Sequence, residues 1–171
     1  MKDENMGMCR CGRVTFFVSL PEVLENYSPR KCDCAFCMKH DAAVLSHPDG
    51  NLHIESLAPL TITKHGSGQA SFLSCSSCHS FVSVVYLFPT GLKGAVNATL
   101  LSEFERLKAP QLVSPKRLDP QEKLSRWESV WFNVKVNNNY VRPLHETNGL
   151  NIGAGLTFIT SGLAVAAMKQ R

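Results

Sequence analysis

The sequence has no run of lysine or arginine longer than a pair, and the pairs are Arg30-Lys31 and Lys116-Arg117. Its net charge is only +4 over 171 residues, and 19% of its residues are charged. Proteins that bind nucleic acids usually concentrate positive charge in a patch or stripe. The chain therefore carries no strong signal for a nucleic-acid partner.

A secretory signal is also missing at the start of the sequence, where MKDENMGMCR has mixed charges and no apolar stretch. We therefore expect a reducing compartment, the cytoplasm or the nucleus. In such a compartment, closely spaced cysteines are more often metal ligands than disulfide partners. The count agrees with this interpretation, because seven cysteines cannot all pair within one chain.

Long amphipathic helices are scarce. Short apolar and β-branched runs occur instead, separated by Gly, Pro, Asn and Asp, at residues 14–20, 42–46, 52–57, 60–64, 81–88, 94–100 and 130–136. This pattern predicts a mainly β fold of antiparallel strands with few short helices. One helix is predicted at 119–128, where Asp119 is a good N-cap and Glu122 follows three residues later. A shorter helical piece is predicted within 20–29.

The chain changes character after about residue 136. We expect one domain over residues 1–136, which is long enough to bury a core, and a polar linker with an apolar tail over 137–171. Residues 150–168 approach the length that spans a bilayer, about 20 residues, but they contain Asn151 and three glycines. We therefore expect an extension, or a segment that packs on a partner, in preference to membrane contact. No pattern indicates an oligomeric state.

The seven cysteines fall into three tight clusters, Cys9-x-Cys11, Cys32-x-Cys34-x-x-Cys37 and Cys75-x-x-Cys78. Such spacing is typical of chelating loops, and zinc prefers tetrahedral thiolate ligation. Structural zinc sites use four protein ligands, whereas catalytic sites usually use three and keep one position open. Seven cysteines divide naturally into four and three, with the central cluster supplying three. The spacing alone does not fix this partition, since two members of the central cluster could instead pair with the last cluster.

The order of these motifs resembles the glutathione-dependent formaldehyde-activating enzyme and centromere protein V family. The resemblance rests on CRCG at 9–12, CDCAFCMK at 32–39 and CSSC at 75–78, and it covers about residues 7–135. The strand predicted after the first motif and the β-rich run after the last one also match. One departure is His79, which follows the last motif where relatives usually carry glycine.

The resemblance implies an antiparallel, β-tent-like zinc-binding fold with two zinc ions per chain. It implies a structural zinc held by Cys9, Cys11, Cys75 and Cys78, and a second, catalytic-type zinc held by Cys32, Cys34 and Cys37. The implied activity is that of a zinc-dependent carbon–sulfur lyase. Its small-molecule partner would be a thiol–aldehyde adduct of the S-hydroxymethylglutathione type. The alternative is a non-catalytic, zinc-stabilised protein-interaction module of the centromere protein V type.

Two residues beside the central cluster are candidates for the chemistry of such a site. His40 could reach the open metal position or act as an acid–base group near neutral pH. Lys39 could attract a carboxylate of glutathione. The alternative for both is simple exposure in a charged stretch. We expect His65, in a Gly/Ser turn, to be a loop residue, and Trp127 and Trp131 to pack in the core.

Overall fold

The computed structural model describes residues 3–138, which form eleven strands, two α-helices and four short 3-10 segments. The strands are β1 (Asp3–Met8), β2 (Val14–Leu20), β3 (Arg30–Cys32), β4 (Val44–Leu45), β5 (Asn51–Ser56), β6 (Leu60–Lys64), β7 (Ser71–Cys75), β8 (Phe81–Phe88), β9 (Gly91–Asn97), β10 (Gln111–Val113) and β11 (Phe132–Asn138). The helices are α1 (Ala35–Lys39) and α2 (Pro120–Val130), and the 3-10 segments are Leu24–Asn26, Ala98–Leu100, Phe104–Arg106 and Pro115–Arg117. The prediction of a mainly β fold with few short helices is confirmed.

All eleven strands belong to one sheet that branches at β9. One arm runs from β9 through β11, β5 and β2 to β1, a second through β4 and β3 to β10, and a third through β8 and β7 to β6. Neighbouring strands are antiparallel except in two pairs, β5 with β11 and β3 with β10, which are parallel. The sheet is therefore mixed, although antiparallel pairing predominates as predicted.

The branch forms because the neighbours of β9 use different parts of it. Strand β11 pairs with Lys93 and Gly94, and β4 pairs with Val96 and Asn97, while β8 follows the opposite edge along its length. A side chain at Gly94 would place its Cβ only 2.5 Å from the carbonyl oxygen of Val84. Only glycine fits there, since real Cβ atoms do not approach a backbone oxygen so closely.

Two groups of buried side chains stabilise the sheet. The larger one is supplied by the alternating inward residues of β2, such as Phe16 and Val18, together with Ile54 and Phe132. It also contains two cysteines of the outer clusters, Cys9 and Cys75. The smaller group contains Cys37, Phe81, Ala95 and Trp131. The outer cysteines therefore pack against the main core and the central cysteines against the smaller one.

Helix α2 begins at the N-cap that the sequence predicts. The Asp119 carboxylate accepts hydrogen bonds from the backbone N–H groups of Gln121 and Glu122, at 2.8 and 2.9 Å. The Glu122 carboxylate in turn accepts from the Asp119 N–H at 2.9 Å, which completes a capping box. The helix ends at Val130, and one residue separates it from β11. Near this end, Trp127 and Val130 pack in the same smaller core group as the central cysteines.

Strand β11 extends two residues beyond the expected domain boundary at 136. The expectations for a linker and for the apolar segment at 150–168 lie outside the described residues. Over residues 3–138, no helix combines the length and the apolar character needed to cross a membrane.

Candidate metal centres and ligand cavity

Four cysteines from two distant turns meet at one point. Cys9 and Cys11 lie in the turn between β1 and β2, and Cys75 and Cys78 lie at the end of β7 and in the turn to β8. Their Sγ atoms all lie within 4.8 Å of one another, with separations of 3.5 Å for Cys9–Cys11 and 3.7 Å for Cys11–Cys75. Four sulfurs bound tetrahedrally at a bond length of about 2.3 Å lie about 3.8 Å apart. The four-cysteine group can therefore hold one metal ion.

Backbone hydrogen bonds shape both turns of this group. The Gly12 N–H donates to the Cys9 carbonyl at 3.0 Å, and the His79 N–H donates to the Cys75 carbonyl at 2.9 Å. Gly12 has φ +75° and His79 has φ +59°, both in the left-handed region. His79 therefore adopts in the second turn the conformation that Gly12 adopts in the first, and its side chain is exposed. It does not belong to the ligand group.

Hydrogen bonds around Cys78 favour its ionised form. Burial acts to raise the pKa of Cys78, but hydrogen bonds from Ser80 and Cys11 outweigh it and lower the pKa to about 5. The Ser80 hydroxyl lies 3.2 Å from the Cys78 sulfur and itself accepts the Arg10 N–H at 3.3 Å. The Arg10 guanidinium also donates to the Cys78 carbonyl at 2.8 Å. The turn thus holds a thiolate, which is the form that binds metals.

The three central cysteines converge where a strand changes into a helix. Cys32 ends β3, Cys34 is the N-cap of α1 and Cys37 lies within that helix. Their Sγ atoms all lie within 4.8 Å of one another. The Cys34 N–H donates to the Cys32 sulfur and the Cys37 N–H to the Cys34 sulfur, both at 3.4 Å. The structure therefore divides the seven cysteines into four and three, and the central group can also hold a metal ion.

The central thiols differ in acidity. A hydrogen bond from the Cys37 thiol, supported by bonds from Cys34, lowers the pKa of Cys32 to about 6 although burial opposes this. The same bond to Cys32, together with burial, raises the pKa of Cys37. The loop therefore holds a thiolate at Cys32 near neutral pH.

Asp33, between the first two central cysteines, anchors this loop to the segment after β10. Its N–H donates to the Val113 carbonyl at 3.2 Å. Its carboxylate accepts from the Ser114 hydroxyl at 2.8 Å and lies 3.0 Å from the Lys116 ammonium group. Hydrogen bonds from Lys116 and Ser114 hold the pKa of Asp33 below its usual value. These contacts of Asp33 hold the loop of central cysteines against residues 113–116.

A cavity of about 150 Å³ opens over the central group, and all three central cysteines line it. Most of its wall is apolar and includes Phe72, Phe81, Val84, Trp127, Val130 and Trp131. The charged side chains that line it are all basic, namely Arg30, Lys116, Lys123 and Arg126, and no acidic residue of the described chain joins them. The cavity therefore suits a ligand with an apolar body and a negative charge.

Both predicted core tryptophans lie in this wall. Their rings stack with centroids 4.7 Å apart and an angle of 10° between the planes. Trp131 is 5% exposed, as expected for a core residue, whereas Trp127 is half-buried at the cavity surface.

The cavity is lined by His65, and neither His40 nor Lys39 belongs to its lining. The His65 ring lies 4.2 Å from the Phe36 ring, and its Nε2 is hydrogen-bonded to the Thr63 hydroxyl at 2.8 Å. The His40 ring lies 4.4 Å from the same phenylalanine, and burial and nearby positive charges lower the pKa of His40. Lys39 is exposed at the end of α1. His65 lies in the loop after β6, as predicted, but a histidine in a glycine-rich turn gives no local signal that it lines a cavity.

No protein-family model matches the chain, and no curated protein matches it. A crystal structure of a Rhodobacter sphaeroides protein is similar to it, with 23% sequence identity and a TM-score of 0.47. The similarity covers 63% of this chain and 99% of that protein.

Proposed function

We propose that this protein binds two zinc ions and uses the central one to cleave the carbon–sulfur bond of a glutathione–aldehyde adduct of the S-hydroxymethylglutathione type. One observation carries the proposal: three cysteines line an apolar cavity whose charged side chains are all basic. Three protein ligands would leave one metal position for a substrate. The basic lining suits the carboxylates of glutathione. The motif order of the sequence supports the same proposal through its family resemblance.

Zinc is the proposed metal because both ligand sets consist of cysteine sulfur. The four-cysteine group would hold a structural ion, since all of its metal positions are taken by protein ligands. When bound to the three central cysteines, zinc would supply a Lewis acid that lowers the pKa of a coordinated thiol.

The chain's own residues would provide the binding surface and the proton acceptor. In the lyase direction the carbon–sulfur bond breaks, the sulfur keeps the bonding electron pair, and the hydroxyl proton leaves as the carbonyl forms. His65 is the better candidate to accept that proton, because it lines the cavity and His40 does not. The Thr63 hydroxyl fixes the orientation of the His65 ring. The apolar wall limits the access of water to the reacting atoms.

Cobalt substitution tests the proposal. We expect the full chain to bind two Co²⁺ ions, and we expect glutathione to change the absorption of the central ion, because its sulfur takes the open position. The adduct should be cleaved by the zinc-loaded protein. In the matched variant Cys34→Ser, glutathione should leave the cobalt spectrum unchanged. A wild-type cobalt spectrum that does not respond to glutathione would contradict the lyase and favour the interaction module.

A pair of histidine variants tests the proton acceptor. His65→Gln should lower kcat for cleavage of the adduct about 100-fold, the usual loss when a general base is removed. His40→Gln is the control and should retain kcat within about threefold, since it removes a histidine outside the cavity lining. An equal loss of kcat in the two variants would contradict the role of His65 as the proton acceptor.

A further inference from the structure

We infer that Arg30 and Arg126 form an anion subsite in the cavity wall, which binds a carboxylate of the thiol ligand. The inference rests on the proposed function in one respect, namely that the ligand is a thiol that reaches the central cysteines. Two arginines far apart in sequence would then recognise the charge of the ligand.

The two arginines come from different elements that meet at the cavity. Arg30 begins β3, two residues before the first central cysteine, and Arg126 lies on α2. The Arg30 guanidinium donates a hydrogen bond to the Ser46 hydroxyl, which donates to the Val130 carbonyl at 2.7 Å. Val130 lies one turn after Arg126 on the same helix. This chain of hydrogen bonds holds the Arg30 side chain beside the end of α2 that carries Arg126.

In the described part of the chain, neither arginine forms an ion pair with a carboxylate. Among the basic residues of the lining, Lys116 lies 3.0 Å from the Asp33 carboxylate. Within residues 3–138, no carboxylate lies within 4.0 Å of Arg30, Arg126 or Lys123. Both arginines line the same cavity. Arg30 is half-buried, and an anionic ligand group in the cavity would offset the cost of burying its charge.

The donor type and the proposed thiol ligand together indicate the class of anion, because guanidinium groups bind carboxylate or phosphate and glutathione carries only carboxylates. A guanidinium binds a carboxylate through two parallel hydrogen bonds, which favours arginine over lysine at such a site. The rest of the lining is mainly apolar and suits a carbon skeleton. The ligand class is therefore a thiol that also carries a carboxylate, a chemistry that glutathione shares with small mercapto acids.

A pair of thiols that differ in charge tests the subsite. We expect 3-mercaptopropionate to bind the zinc-loaded full chain at least about tenfold more tightly than the uncharged 3-mercaptopropionamide, measured by isothermal titration calorimetry. Arg126→Gln should reduce this preference to about twofold and leave the affinity for the amide unchanged. Arg126 is exposed on the helix surface, so the variant is expected to fold. Arg30→Gln should reduce the preference in the same way.

Lys135→Gln is the matched control, since it removes one positive charge from β11 outside the cavity lining. It should keep the full preference for the acid. The subsite would be contradicted if the two thiols bind with equal affinity or if neither binds. It would also be contradicted if Lys135→Gln and Arg126→Gln lose the preference to the same extent. A preference for the charged thiol without cleavage of the adduct would support the subsite and contradict the lyase proposal. Cleavage of the adduct without a preference for the charged thiol would support the lyase proposal and contradict the subsite.

Glutathione and its diethyl ester distinguish the two sources of the carboxylate. The subsite binds glutathione if two results are obtained. The diethyl ester should bind more weakly than glutathione by the factor that separates 3-mercaptopropionamide from 3-mercaptopropionate, and Arg126→Gln should abolish the difference between glutathione and its ester. If esterification has no effect while the small acid keeps its preference, the subsite is supported and a small mercapto acid is its ligand.

Discussion

Cys75→Ser is expected to lower the free energy of unfolding by at least about 4 kcal/mol, because a structural metal contributes its binding free energy to folding. Cys75 is 0% exposed and belongs to the main core. Its sulfur completes the group that ties the turn after β1 to the turn after β7. With three thiolates the metal would be held far more weakly, and a hydroxyl would replace a sulfur among apolar side chains. Thermal unfolding followed by circular dichroism, together with metal analysis, measures the effect.

The neighbouring variant Ser76→Ala is the control. It alters the same turn but removes no sulfur, so the change in stability should stay within about 0.5 kcal/mol. If Cys75→Ser still binds two metal ions and melts at the wild-type temperature, the four-cysteine group is not a structural metal site.

Cys34→Ser is expected to lower kcat/KM for cleavage of the adduct on the order of a thousandfold while the fold persists. The metal content should fall from two ions to one, since only two thiolates remain in the central group. The local structure should survive because serine is a good N-cap, and its hydroxyl can accept the hydrogen bond that the Cys37 N–H donates to Cys34. The melting temperature should therefore change much less than in Cys75→Ser.

Steady-state kinetics, metal analysis and thermal unfolding of the same Cys34→Ser preparation check this expectation. Wild-type turnover in a preparation with one metal ion would show that the central group is not the reaction centre. Equal destabilisation by Cys34→Ser and Cys75→Ser would remove the distinction between a structural and a catalytic ion.

Features that depend on neighbours in sequence were predictable. Three strands, β2, β6 and β8, have the bounds that their apolar and β-branched runs predict. Helix α2 begins at Asp119, as its cap chemistry indicates. In each case the signal is local: side-chain periodicity in a strand, or a hydrogen bond between a side chain and the nearby backbone.

Elements that depend on distant partners were not predictable. Strand β1 has the polar sequence DENMGM, yet it pairs with β2 along its whole length. It lies close to β2 at Gly7, where a Cβ would lie 2.2 Å from the Phe16 ring. Strands β3 and β10 have three residues each and pair in parallel across a long stretch of chain. Such pairings depend on tertiary packing, for which a single sequence gives no periodic signal.

The same contrast applies to the site. The cysteine clusters are visible in the sequence because chelate spacing is local. The sequence also directs attention to Lys39 and His40, which follow the central cluster directly. The cavity lining instead contains His65 and Arg126, and the folding of the β6–β7 loop and α2 over the sheet brings them there. The cysteine spacing alone likewise leaves the partition of the seven cysteines open, and the structure fixes it by bringing the two outer clusters together.

The stacked pair Trp127 and Trp131 contains every tryptophan of the chain. Tryptophan emission from this protein therefore reports on one place, the contact of α2 with the sheet beside the cavity. Unfolding followed by this emission records the separation of that helix, whereas far-ultraviolet circular dichroism records the loss of the strands. A lower midpoint for tryptophan emission than for circular dichroism would show that the helix separates from the cavity before the sheet unfolds.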